Sequence, residues 1–403
     1  MDAVTIPKKR GVKPSLRFTG FEGDWKEERL GSIGDFKNGL NKQKEDFGFG
    51  SPFVNLMDVF GKNTVRNQEY SLVNASAKDL KTYDLRQGDV LFIRSSVKRE
   101  GVGEAVLVLE DLTDTVYSGF LIRYRERKEI LDVLYKKYCF TTRRFRTDLL
   151  ASATTSANTN INQDSLSDLC IWIPTLPEQQ KIAGFLSAVD ARIQQLTRKK
   201  ALLEQYKKGV MQQLFTQEIR FTRADGSDMH RTAFAEWEEK RLGEVCETFK
   251  SGEGITAEKI TATGTYPVYG GNGLRGYTDT HTHEGFFVLI GRQGALCGNI
   301  NRAYGKTFIT EHAIAVAANA SSDTEWLAQR LDYTKLNRLS ESSAQPGLSA
   351  QKLTRLKMLF PSLEEQQKIA GFLGALDARV QAVGEQLAGC QRWKKGLLQQ
   401  MFV

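Results

Sequence analysis

Cysteine is scarce in this chain and follows no pairing pattern. Cys139, Cys170, Cys246, Cys297 and Cys390 form an odd set with no C-x-x-C spacing. That argues against a disulfide framework or a zinc site and for reduced thiols in a cytoplasmic protein. Long apolar runs are missing too. Stretches such as Phe286 to Ile290 fall far short of the roughly 20 residues needed to cross a bilayer, and the first residues carry no apolar signal region. Histidine is limited to four residues. His281, His283 and His312, with Glu311 close in sequence, could be a metal site, but their Thr and Gly flanks and the lack of i, i+4 spacing favour surface or hydrogen-bonding roles. His230 lies in a polar linker. There is no P-loop, no Asn/Asp-Pro-Pro-aromatic methyltransferase signature and no nuclease-like carboxylate cluster. Gly271-x-Gly273-x-x-Gly276 follows a strand, but GYTDTHTHEGFFVLI comes next, with turn and strand character where a dinucleotide site needs a helix. A glycine-rich hairpin is expected there. No catalytic, cofactor-binding or metal site is expected in this chain.

What the chain does carry is a repeat. TLPEQQKIAGFLSAVDARIQQLTRKKALLEQYKKGVMQQLF, Thr175 to Phe215, returns as SLEEQQKIAGFLGALDARVQAVGEQLAGCQRWKKGLLQQMF, Ser362 to Phe402, without insertion or deletion. Both copies open on a capping box, Thr175-x-x-Glu178 and Ser362-x-x-Glu365, so both are helices. Apolar residues recur at steps of three and four: Leu186, Val189, Ile193, Leu196, Leu203, Val210 and Leu214, then Leu373, Leu376, Val380, Val383, Leu387, Cys390, Leu397 and Met401. A seam held this long describes a coiled coil. At about 1.5 Å per residue each helix would run roughly 55–60 Å, too long for the face of one small domain. Lys207 and Lys394 occupy matching seam positions, either to fix register or as stems that snorkel at a frayed end.

The repeat is larger than the helix. Trp25-x-x-x-Arg29-Leu30-Gly31 is answered by Trp237-x-x-x-Arg241-Leu242-Gly243, and each phrase leads through a variable body into a long helix. The fold expected is α/β: two mixed α/β domains, a long antiparallel two-helix coiled coil, and an internal pseudo-two-fold duplication. The segments are a basic, disordered arm over 1–20, a first body over 21–174, the central helical repeat over 175–215, a linker over 216–235, a second body over 236–361 and the C-terminal helical repeat over 362–403. The linker is short, so the second body begins near the end of the first helix, which makes the two helices antiparallel.

Formal net charge is +8, which suits a polyanionic partner. Lys8, Lys9, Arg10, Lys13 and Arg17 of the arm face a single acid, Asp2. Within the bodies, Arg94, Ser95, Ser96, Lys98 and Arg99 follow a strand, and the loops YGGNGLRGY and GRQG carry Asn272, Arg275, Tyr277, Arg292 and Gln293. Arg can contact guanine and Asn or Gln adenine through paired hydrogen bonds in the major groove, and glycine lets the backbone come close. These ten residues are the candidate DNA contacts. Arg143 to Arg146, RRFR, could hold phosphates.

With the duplicated EQQKIAGFL helix, the Trp-x-x-x-Arg-Leu-Gly openings and the phrase YPVYGGNG…GRQGALCGN in view, the chain resembles the specificity subunits of type I restriction-modification systems. The resemblance covers essentially everything after the arm. It implies a non-catalytic DNA-specificity subunit whose two variable bodies each read one half of a bipartite double-stranded site, with the paired helices as spacer and docking site for two methyltransferase subunits. S-adenosylmethionine would belong to that partner, and ATP and Mg to restriction subunits that can join; this chain would hold no cofactor. Glu178, Gln179, Gln180 and Lys181, with Glu365, Gln366, Gln367 and Lys368, are the expected partner-facing residues. Pro177 is answered by Glu364, so the two helix starts need not be identical. A fused restriction or modification enzyme and a DNA-binding scaffold without sequence readout are the alternatives.

Overall fold

The computed structural model describes residues 12–155, 158–224, 231–294, 296–340 and 347–403. Lys8, Lys9, Arg10, His230 and most of the loop 340–347 lie outside them. The chain forms two compact units, residues 1–197 with 386–403, and residues 198–385. Each unit holds one variable body, so the boundaries cut through both long helices.

In the first unit a five-stranded sheet runs Gly34–Asn38, Leu121–Glu126, Val90–Ile93, Ala105–Val108, Thr64–Val65, antiparallel except for its last, parallel pair. In the second unit a six-stranded sheet runs Cys246–Ser251, Ala313–Ala318, His283–Gly291, Ile300–Ile309, Tyr266–Gly270, Gly273–Thr278, with the parallel pair between its fourth and fifth strands. The first five strands of the larger sheet repeat the smaller one. The central strand VLFI is buried at all four positions, which is why it reads as an unbroken apolar run.

The Trp-x-x-x-Arg-Leu-Gly phrase has a structural reason. Lys26–Arg29 pairs antiparallel with Cys170–Ile173, the strand just before the first long helix, and Glu238–Arg241 pairs likewise with Lys357–Phe360. Each body therefore starts and finishes at one place. Glycine fits a close approach there: a Cβ on Gly31 would stand 3.0 Å from Ser167 Cβ, and one on Gly243 3.0 Å from Thr354 Cβ, both tight contacts. Trp25 and Trp237 are buried in the cores of their units.

The long helices span Leu176–Phe215 and Leu363–Gln400. In the first unit Ile182, Leu186 and Val189 share a core with Leu397 of the other helix and with Met401 and Phe402 just beyond its end, and in the second Val210 and Leu214 share one with Ile369, Leu373 and Leu376. The helices are antiparallel where they pack. Within the second unit Lys207 pairs with Asp377 at 2.5 Å, while Lys200 lies against Gly384, so numbers rise on one helix as they fall on the other. The seam lysines are register devices: Lys394 meets Asp190 at 2.6 Å as Lys207 meets Asp377.

Several local expectations need correction. RRFR opens the helix Arg143–Ser152, capped by Thr142, whose side chain accepts from the Phe145 N–H. Arg146 turns inward and donates to the carbonyls of Glu100 and Val102, both at 2.8 Å, and Arg144 lies over the Trp172 ring. Burial lowers the pKa of the Arg146 guanidinium. The apolar run Pro52 to Phe60, which reads in the sequence as a single short strand, is divided in two. Phe47–Val54 ends where Asn55 caps a short helix, Leu56–Val59. The described part of the N-terminal arm is docked, not free: the Leu16 N–H donates to Gln400 O at 2.8 Å and Phe18 meets Phe185 edge-on. The linker contains a hairpin, Thr222–Ala224 with Arg231–Ala233.

Candidate nucleic-acid interface

The two bodies present one arginine each at the same backbone junction. Arg94 follows the central strand Val90–Ile93, and Arg292 follows its counterpart His283–Gly291. The Arg94 N–H donates to Phe120 O at 2.8 Å, and its carbonyl accepts from the Ile161 N–H at 2.9 Å. The Arg292 N–H donates to His312 O at 2.9 Å, and its carbonyl accepts from the Leu348 N–H at 2.9 Å. In both bodies the acceptor immediately precedes the neighbouring strand. Both backbone bonds of each arginine are used, so the side chain leaves a rigid base, and Arg94 is exposed while Arg292 is half-buried with a 3.3 Å bond to Ser251 Oγ.

Around Arg94, Ser95–Ser96 forms a short ribbon with Thr159–Asn160 and Thr154–Thr155. Lys98 and Arg99 are exposed, and Arg99 makes a 3.3 Å bond to Leu150 O. Around Arg292, the exposed Gln293 pairs with Gly347 by a single bridge. The glycine-rich phrase is the turn between Tyr266–Gly270 and Gly273–Thr278, with no helix behind it. It lies against the GRQG loop: a Cβ on Gly291 would fall 2.7 Å from Gly271 O. The residue before Asn272 thereby packs on the backbone of Gly291 and Arg292, and Arg275 folds its stem across Gly270. Tyr277 is not part of this group. It sits further along its strand, half-buried, with its backbone bonded both ways to Thr261. His283 is buried against Phe287, His281 lies tilted against the Tyr266 ring, and His312 pairs with Glu311.

The helix starts divide the expected partner-facing residues. Glu178 and Glu365 are 1% and 0% exposed, and Gln179 and Gln366 are buried too. Gln179 donates to Ile130 O and Pro174 O and accepts from the Asp132 N–H, while Gln366 donates to Pro361 O and accepts from Ser322 Oγ and the Asp323 N–H. The two glutamines fasten each long helix to its own body, and burial leaves none of these four side chains open on the surface. Gln180, Lys181 and Gln367 are exposed, and Lys368 is half-buried with a bond to Thr222 O.

The carboxylates are taken by two arginines, one in the arm and one in the linker. Arg17 grips Glu178 through Nε and Nη2, both at 2.7 Å, and Arg220 grips Glu365 at 3.1 and 2.9 Å. Trp237 Nε1 adds a third donor to Glu365 at 3.2 Å. In both arginines the hydrogen bond to the glutamate raises the guanidinium pKa above its ordinary value. The signal was present: Leu16-Arg17-Phe18-Thr19 recurs as Ile219-Arg220-Phe221-Thr222, and Phe221 meets Phe372 as Phe18 meets Phe185.

The model of the type I restriction modification DNA specificity domain matches the chain twice, over residues 22–205 and 235–388. The EcoprrI specificity subunit of Escherichia coli is 40% identical over 154 residues, covering 37% of this chain and 38% of that protein, so the match spans well under half of that relative. The putative MjaX specificity subunit of Methanocaldococcus jannaschii is 24% identical over 93% of this chain and 92% of its own. A crystal structure of the type I restriction-modification S subunit from M. genitalium superposes with a TM-score of 0.66 at 19% identity, over 97% of this chain and 99% of that one, and shares the fold. No helix among the described residues is long and apolar enough to cross a membrane. With two tandem matches over most of its length, this chain belongs to the type I restriction modification DNA specificity domain family.

Proposed function

We propose that the chain is the cytoplasmic, non-catalytic specificity subunit of a type I restriction-modification complex. Each body reads one half of a bipartite site in double-stranded DNA. The paired helices are the spacer and the docking site for two methyltransferase subunits, with Gln180, Lys181 and Gln367 as the accessible part of that surface. S-adenosylmethionine is held by those partners, and ATP and Mg by restriction subunits where they join. The observation that carries the reading is the repeated junction: the same backbone scaffold presents Arg94 in one body and Arg292 in the other, surrounded by different side chains. That is what two readers of two different half-sites require.

The test is to co-express the chain with its methyltransferase subunit and map methylated adenines across a genome. A bipartite motif is expected, and exchanging the first body should alter one half only. Arg94→Ala should relax one position of the same half, at a cost of about 1–3 kcal/mol in discrimination. A change in both halves, or uniform binding to all sequences, would sink the modular reading.

A further inference from the structure

We propose that the first body recognises a thymine in its half-site through the C5 methyl group, with Val97 as the contacting residue. This deepens the reading above and rests on it. Val97 is 85% exposed, a β-branched apolar side chain between Ser96 and Lys98. Its loop is not slack. Ser95–Ser96 is paired into the short ribbon, the Gly101 N–H closes a turn on Lys98 O at 3.0 Å, and Arg146 braces the Glu100 and Val102 carbonyls from within. The loop base is tight enough that a Cβ on Gly101 would fall 2.5 Å from Ser96 Oγ. Val97 is thus held out in water by structure, an arrangement that stabilises nothing in the free protein.

Two phenylalanines border the same loop. Phe60, 48% exposed, lies against Gly101, and Phe120, 57% exposed, supplies the carbonyl that fixes Arg94. Apolar surface rimmed by cations marks an interaction site, and Arg94, Lys98 and Arg99 make the rim suited to a polyanion. Among the base edges of the major groove, the thymine methyl is the one apolar group. In the second body Leu296, 47% exposed, stands four residues after Arg292. In the first body an arginine that can read guanine and an aliphatic tip that can read thymine therefore emerge together from the junction.

The experiment uses the chain in complex with its methyltransferase subunit and duplexes carrying the mapped site, with each thymine of the first half replaced in turn by deoxyuridine, which lacks only the methyl. At one position the wild-type complex should lose roughly three- to ten-fold in affinity, the worth of about one buried methyl group. Val97→Ala should bind the thymine and uracil duplexes alike, Val97→Ile should keep the difference, and neither should alter uracil sensitivity in the second half. The proposal is overturned if no uracil in the first half costs as much as two-fold, or if Val97→Ala keeps the wild-type discrimination. A complex with no sequence preference at all would instead overturn the specificity reading on which it rests.

Discussion

Replacing Arg220 with alanine is expected to destabilise the second unit by about 3–5 kcal/mol. Glu365 is completely buried at the start of the second long helix, and Arg220 meets both its oxygens, so removing the guanidinium leaves a carboxylate in an apolar core with the Trp237 indole still donating to it. A buried charge that loses its partner costs far more than the pair contributes relative to an uncharged replacement. Domains have total stabilities of about 5–15 kcal/mol, so the loss is a large share. Urea unfolding followed through the buried Trp237 and Trp326 would read it directly. Arg220→Lys should fall between, because an ammonium cannot make the two parallel bonds. Adding Glu365→Gln to Arg220→Ala should recover part of the loss, since the buried group is then neutral. A cost under about 1 kcal/mol for Arg220→Ala, the range of exposed pairs, would contradict the assignment.

That lock illustrates what could be read from the sequence. The helices were legible because a period of 3.5 and an exact repeat are properties of neighbouring residues. The matching places of Lys207 and Lys394 were legible too, but whether they paired or snorkelled was decided only by Asp377 and Asp190 on the facing helix. The burial of Glu178 and Gln179 was not legible: polar residues in a first helical turn look solvent-facing, and what buries them are carbonyls and amides of Ile130, Asp132 and Pro174 together with Arg17, 161 residues away from Glu178. The recurrence of Arg-Phe-Thr was the available clue. RRFR looked like a phosphate clamp because three arginines in four residues suggest a surface. The apolar Phe145 and the Thr142 cap announce a helix, and Arg146 is spent on backbone carbonyls. The equivalence of Arg94 and Arg292 was hidden for a different reason. It is carried by backbone hydrogen bonds to Phe120, Ile161, His312 and Leu348, which lie far from the arginines in sequence and use main-chain atoms that no side-chain pattern announces.

Asp190 supplies the second large effect, and one that depends on pH. In the first unit its carboxylate meets Lys137 Nζ at 2.5 Å, Lys394 Nζ at 2.6 Å and the Tyr138 hydroxyl at 3.0 Å, with the residue almost fully buried. Burial pushes its pKa up, but the hydrogen bonds and charges of Lys137 and Lys394 outweigh it, so the net shift is downward. A folded pKa below the unfolded value of about 3.9 means that the ionised form stabilises the fold above that value and that the contribution is lost as pH falls through the folded pKa. Asp190→Ala should therefore cost about 3–5 kcal/mol near pH 7, because two lysines are left without their shared anion. The difference from wild type should shrink below about pH 4 as the wild-type carboxylate protonates. The matching pair, Lys207 with Asp377, is much more open, with the Asp377 side chain 45% exposed. Asp377→Ala should cost no more than about 1 kcal/mol and respond to added salt. The two aspartates hold the same place in the repeat, so equal losses in urea titrations of the two variants would mean that burial by Lys137 and Tyr138 does not set the strength of the pair.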